Sequence, residues 1–154
     1  MAVKKTCSST VTLTEQDQLA PKEQKQLTPA EQGRAAESLA ADYFLQHGYR
    51  VLERNYRTRR GEVDLILEKG CYLIFVEVRY RRSTAFGSPE ETITPAKQRK
   101  VILAALEYVV RRGLGARMIR FDVVSLVQGS GAPRIEHIED AFEAKLPGLS
   151  ATLL

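Results

Sequence analysis

Two short runs constrain the fold of this chain more than any other feature. Glu62 to Leu67 reads Glu-Val-Asp-Leu-Ile-Leu, and Tyr72 to Arg79 reads Tyr-Leu-Ile-Phe-Val-Glu-Val-Arg. Both have the apolar, β-branched and aromatic content of buried strands. Each also carries a carboxylate among its apolar residues, Asp64 in the first and Glu77 in the second. A strand core takes such a residue only where something offsets its charge. Lys69-Gly70 marks a turn between the runs, so they read as a hairpin with positions 64 and 77 close to opposite each other. Carboxylates held that close repel and raise each other's pKa, and a divalent cation relieves the repulsion. Hard oxygen donors favour Mg²⁺ or Mn²⁺ over zinc. Arg79 and Arg81 follow directly, so the site is expected to hold a metal, a phosphate, or both.

Strand side chains alternate between faces. Glu62, Asp64 and Ile66 are therefore expected on one face, with Val63, Leu65 and Leu67 on the other. In the next strand Phe75, Glu77, Arg79 and Arg81 share a face, opposite Ile74, Val76, Val78 and Tyr80. A structural alternative for the two carboxylates is ion pairing with Arg79, Arg81 or Arg120.

The rest of the chain supplies the elements around this hairpin. Residues 1–27 are polar and without period, which reads as a flexible leader. Thr28-Pro29-Ala30-Glu31 has the form of a capping box with proline at the first helical position. The helix it opens should run to about His47 and end at Gly48. Ala30, Gly33, Glu37, Ala40, Ala41 and Phe44 fall on one face of it, which places Glu37 amid small and apolar neighbours. Residues 49–56 read as a strand, 57–61 as a basic turn, 62–68 and 71–81 as the hairpin. Thr94-Pro95 opens a second helix to Arg112, closed by Gly113. Residues 119–127 form a fourth strand, 134–138 a short edge strand, and 141–146 a helical turn before a tail over 147–154. The order helix, three strands, helix, strand specifies an α/β fold, a mixed sheet flanked by helices. The strands on either side of the second helix are able to run parallel.

The 154 residues suit one folded domain, over 28–146. No apolar run approaches the roughly 20 residues of a membrane helix. The N-terminus has two lysines but no apolar stretch behind them, unlike a secretory signal. Cys7 and Cys71 form neither a disulfide framework nor a zinc pattern. Free thiols in a cytoplasmic protein are the expectation. The net charge is only +4, yet residues 50–120 hold 16 Lys/Arg against 8 Asp/Glu. A basic middle around a few carboxylates suits a surface that handles phosphodiesters.

Several motifs extend this reading. Gly33-xxx-Glu37, His47-Gly48-Tyr49-xx-Leu52-x-Arg54-Asn55-Tyr56-Arg57, Gly61-Glu62-Val63-Asp64-Leu65-Ile66, Phe75-Val76-Glu77-Val78-Arg79 and Arg120-Phe121-Asp122-Val123-Val124 occur in that order. As a set they resemble the successive motifs of the bacterial YraN family. That family is uncharacterised and is similar to the restriction-endonuclease-like PD-(D/E)xK nucleases, archaeal Holliday-junction resolvases among them. The resemblance covers about 30–127. It implies an α-β-β-β-α-β core and an acidic site in which Glu37 matches the helix carboxylate, Asp64 the metal-binding Asp and Glu77 the acidic residue of the (D/E)xK element. The expected metal ligands are Asp64, Glu77 and the carbonyl of Val78, with Mg²⁺ or Mn²⁺ as cofactor.

The pattern departs at Arg79, where the family's motif has lysine. Arginine stays charged and cannot serve as a general base, but it can clamp a phosphate. Lys97 and Lys100 are candidates for an amine from elsewhere that the sequence does not place. Arg57, Arg59, Arg60, Arg81 and Arg82 are expected to follow a nucleic-acid backbone. The expected function is a metal-dependent DNA endonuclease acting on branched or repair and recombination DNA, with DNA and a second copy of the chain as expected partners. The alternative is a nucleic-acid-binding module of the same fold that has lost catalysis. Asp122 has no assigned role beyond pairing with a basic neighbour.

Overall fold

The computed structural model describes residues 27–82 and 93–144. The first helix, α1, spans Pro29–Gln46. The Thr28 hydroxyl accepts from the Glu31 amide, and the Glu31 carboxylate accepts from the Thr28 amide over 2.8 Å. The capping box is thus complete, and it satisfies amide donors that the first turn leaves open. Gly48 follows the helix at φ +77°, a conformation that favours glycine. The chain then enters β1 (Arg50–Arg57), β2 (Glu62–Lys69) and β3 (Tyr72–Arg81). Thr94 caps α2 (Pro95–Arg112), and Gly113 ends it at φ +65°. The last strands are β4 (Met118–Val127) and β5 (Arg134–Ile138).

The strands form one sheet in the order β1-β2-β3-β4-β5. Every neighbouring pair is antiparallel except β3 and β4, which run parallel as a crossover through α2 permits. This is the expected α/β architecture, with β5 as the short edge strand. Residues 141–144 are not helical, so the expected helical turn over 141–146 is not present in its described part. Phe142 instead stacks on Phe121, and the Ala141 amide donates to the Phe121 carbonyl. The leader before Leu27, most of the 83–94 loop and the tail lie outside the described residues.

Each helix covers one face of the sheet. Val101, Ile102, Ala105 and Tyr108 of α2 pack with Ile66, Leu73, Phe75 and Phe121. Ala36, Ala40, Ala41 and Phe44 of α1 pack with Leu65, Leu67, Ile74 and Val76. The buried stripe of α1 runs through Ala36, whereas Ala30 is exposed and Glu37 half-buried at its margin.

Alternation in β3 is as expected, but in β2 it is not. Val63 packs on the α2 side with Ile66, while Leu65 packs on the α1 side with Leu67. The expected set of Val63, Leu65 and Leu67 on one face is therefore corrected, and the slip occurs at Asp64. Two backbone features account for it. Asn55 adopts φ +54°, and the paired positions Arg54↔Leu65 and Tyr56↔Val63 place it across from Asp64. The β2–β3 pairing runs from Lys69↔Tyr72 up to Leu65↔Val76 and goes no further. Beyond that point the Val78 amide donates to the Asp64 carboxylate over 2.8 Å. A side chain stands in for the ladder, and the two strands part at the site.

Candidate active site

The elements converge at one end of the sheet: the end of β1, the start of β2, the end of β3 and the first turn of α2. Glu77 is 2% exposed. Its Oε1 lies 3.2 Å from Lys97 Nζ and 3.5 Å from Arg79. Its Oε2 is buried with no hydrogen-bond partner. Burial pushes the Glu77 carboxyl up to about 7, and the neighbouring Asp64 adds to the shift. Lys97 and Arg79 oppose it and do not prevail. Desolvation outweighs pairing because two partial contacts to one oxygen do not replace the water lost from both.

Asp64 is also raised, first by burial, with Glu37 and Glu62 contributing repulsion. The Val78 N–H and Lys97 pull it back. Glu37 reaches the same region from α1 and is tied down by Asn55, whose Nδ2 donates to Glu37 Oε2 over 2.8 Å. The left-handed Asn55 therefore has a second effect, for its side chain fixes the helix carboxylate. Asp64 feels groups from both layers, Glu37 of α1 and Lys97 of α2. That is possible because the strands part there.

Lys97 was only a candidate amine in the sequence, and here it is central. Its Nζ lies 3.2 Å from both Glu62 Oε1 and Glu77 Oε1. Burial lowers its pKa, but the surrounding carboxylates more than compensate, so the ammonium is held above its usual range. It thus brings an amine to Glu77 from another element, while Arg79 holds the position where the motif has lysine. The sequence did contain a signal. Lys97 lies in the first turn of a helix, where the macrodipole disfavours a cation unless carboxylates face it.

The expected arginines divide into two groups. Arg57 at the end of β1 and Arg59 and Arg60 on the β1–β2 turn line two grooves, of about 960 and 370 Å³. The smaller groove runs on to Glu62, Lys97 and Lys100. Arg81 and Arg82 lie at or just past the end of β3 and line neither. Of the structural alternatives for the carboxylates, the Glu77–Arg79 contact is present. Arg120 pairs instead with Asp122 on the opposite face.

Among the described residues, no three His, Cys, Asp or Glu side chains are grouped closely enough to form a ready metal cage. The donor chemistry nevertheless fits a hard divalent cation. Glu77 Oε2 is an orphaned buried oxygen, Asp64 lies across the parted strands, and Val78 is at the junction. Among the described residues, no helix is long and apolar enough to cross a membrane. The Cys71 thiol is free and exposed.

Residues 36–126 match the model of the uncharacterised protein family UPF0102. A UPF0102 protein of Anaeromyxobacter dehalogenans is 50% identical over 111 residues, which cover 72% of this chain and 83% of that one. One from Rhodococcus jostii is 46% identical over 111 residues, 71% and 94% of the two chains. One from Geobacter sulfurreducens is 45% identical over 112 residues, 72% and 88%. The matched region contains Glu37, Asp64, Glu77 and Lys97, and the chain belongs to UPF0102, the YraN family.

Proposed function

We propose that this protein is a divalent-metal-dependent phosphodiesterase acting on DNA. The observation that carries the reading is Glu77, a buried carboxylate with one oxygen unpartnered, set beside Asp64 where two strands part. A cation bound between these carboxylates would answer the unpartnered oxygen and offset the charge that burial disfavours. Asp64, Glu77 and the Val78 carbonyl would hold Mg²⁺ or Mn²⁺, with Glu37 alongside. When bound, the cation would acidify a water and offset charge on the phosphate.

The protein's own groups divide the remaining tasks. Lys97 is held protonated, so it donates hydrogen bonds and positive charge instead of accepting a proton. Arg79 is half-buried with its Nε unpartnered, and it presents a permanent cation to a phosphate oxygen. Glu37, half-exposed and oriented by Asn55, is the carboxylate best placed to orient a water. The cationic turn of Arg57, Arg59 and Arg60 holds the strand by its phosphates, without reading sequence.

The test is cleavage of duplex, single-stranded and branched DNA with Mg²⁺ or Mn²⁺. Wild type should cut at least one of them. Asp64→Ala should abolish cutting, and Lys97→Met should slow it by about 10²-fold or more, the usual scale for losing a preorganised charge. Binding without cleavage in every metal would instead support the second reading, a DNA-binding module. Arg79 in the lysine position is the observation that favours that reading.

A further inference from the structure

The larger groove has a composition that phosphate binding alone does not explain. One wall is the β1–β2 turn. The Thr58 amide donates to the Gly61 carbonyl over 2.9 Å, and the Thr58 hydroxyl accepts from the amides of Arg60 and Gly61. Gly61 lies so close to α2 that a Cβ there would sit 2.1 Å from the Lys100 carbonyl oxygen. The turn backbone is thus clamped on the helix, and its arginines are displayed from a fixed base.

The floor is apolar. Leu103, Leu106 and Val110 follow one another at helical spacing along α2 and line the groove. Val110 is 79% exposed, more than any other large hydrophobic residue described. Glu107 is the sole acid of this groove, and Arg111 neutralises it through an ion pair. Among the described residues Arg59, Arg60 and Lys100 enter no ion pair. The smaller groove shares the arginine turn and continues to Lys97, beside Glu77. Lys97 and Arg111 are fourteen positions apart on one helix, about 21 Å at roughly 1.5 Å per residue.

A continuous duplex would satisfy the cations and leave the floor without a partner, because its base faces are buried in the stack. An unpaired strand offers phosphates to the arginines and base faces to the aliphatic floor and guanidinium planes. We propose that the arginine turn and the outer face of α2 form a seat for an unpaired DNA strand, which leads to the carboxylate site. This rests on the nucleic-acid part of the proposed function and not on cleavage. It specifies the substrate class as DNA with a single-stranded arm.

The test measures fluorescence anisotropy of the full chain with EDTA present, so that cleavage plays no part. The probes are an oligothymidylate of about 20 nucleotides, long enough for a site of roughly 4–16, and a blunt duplex of equal length. Wild type should bind the single strand more tightly. Val110→Gln, a neutral change at an exposed position, should weaken single-strand binding by about tenfold, or about 1.4 kcal/mol, and duplex binding by less than about twofold. Arg59→Ala with Arg60→Ala should weaken both, and should flatten the salt dependence for the single strand by about 1.4 in log–log slope. Equal or tighter binding of duplex by wild type, or no selective effect of Val110→Gln, overturns the seat. A wild-type dimer in sedimentation that Val110→Gln converts to monomer also overturns it, since the groove is then a self-contact. In a separate assay with Mg²⁺ or Mn²⁺ at subsaturating DNA, cleavage of single-stranded DNA that is unchanged in Val110→Gln removes the seat and leaves the phosphodiesterase standing. Absence of any DNA binding removes both.

Discussion

The two central strands each bury a carboxylate, on opposite faces of the sheet, and the surroundings of the two differ. Asp122 of β4 is fully buried and accepts four hydrogen bonds, two at each oxygen. Arg120 gives two of them, His137 Nε2 one, and the Asp140 amide one. The network extends outward through Arg120 to Glu139, which also accepts from the Tyr49 hydroxyl. His137 sits edge-on to Phe44 and Tyr49, so this cluster ties β4 and β5 to the end of α1. Glu77 of β3 is almost as deeply buried, but one of its oxygens has no partner. A carboxylate with every lone pair answered holds elements together, whereas one left partly unanswered is available to a ligand. Asp122 is thus a built-in part of the fold, and Glu77 is the group on which the proposed function rests.

The largest expected effect breaks the structural half of that comparison. Asp122→Ala leaves Arg120 and His137 facing an empty position, and it should cost about 3–5 kcal/mol in urea unfolding, the usual penalty for breaking a buried pair. Asp64→Ala removes a group that burial already disfavours in its charged form, so its cost should be much smaller. If both substitutions destabilise equally, the division of roles between the two sites fails.

Much of this was legible in the sequence, and the remainder had specific physical causes. Thr28-Pro29 and Thr94-Pro95 began the helices where local capping chemistry required, and Gly113 closed the second. The hairpin register followed from the turn, since Leu65↔Val76 puts 64 and 77 next in line. The slip at Asp64 was not legible, because it depends on the backbone of Asn55 one strand away. Lys97 required the packing of α2 against the site, which periodicity does not place. Asp122 shows why pattern alone is insufficient. Arg-Phe-Asp-Val-Val sets a carboxylate among apolar strand residues just as the other two runs do. The two-pronged grip of Arg120 and the partners supplied by β5 and the turn after it distinguish Asp122 from Glu77.

Titration is the next sharpest test. The Glu77 carboxyl lies at about 7 when folded against an ordinary 4.5, so the native state holds a proton that the unfolded chain releases. Its contribution to stability is full below the unfolded value and is lost as pH rises from about 4.5 through about 7, an amount of roughly 3 kcal/mol. Glu77→Gln keeps the shape and removes the titration. In EDTA it should be the more stable protein at pH 8, by up to the same roughly 3 kcal/mol, with a flatter profile below pH 7. A wild-type stability that rises over this window would contradict the assignment.

The same proton gives a cation test that needs no cleavage. A divalent ion on Asp64 and Glu77 requires both as carboxylates, so binding at pH 7 must expel the proton Glu77 partly retains. Titration calorimetry with Mn²⁺ in buffers of different ionisation enthalpy should show release of about half a proton per site, disappearing in Glu77→Gln. At a hundredfold excess over Kd the ion should stabilise the wild type by about 2.7 kcal/mol. Mn²⁺ heat that is independent of buffer would place the ion elsewhere.

The smallest expected effect concerns Arg79. If position 79 must carry an amine, Arg79→Lys should restore a missing function and raise the rate many-fold. The structure suggests otherwise, because Lys97 already places an ammonium 3.2 Å from Glu77 Oε1, on the same oxygen that Arg79 approaches at 3.5 Å. A second lysine there adds another flexible cation and gives up a planar one whose charge is permanent. The single-turnover rate of Arg79→Lys should therefore stay within about threefold of wild type, under about 0.7 kcal/mol in the barrier. A tenfold gain would mean that Lys97 does not replace the motif lysine, and that Glu77 is paired with Lys97 for structural reasons, as Asp122 is with Arg120.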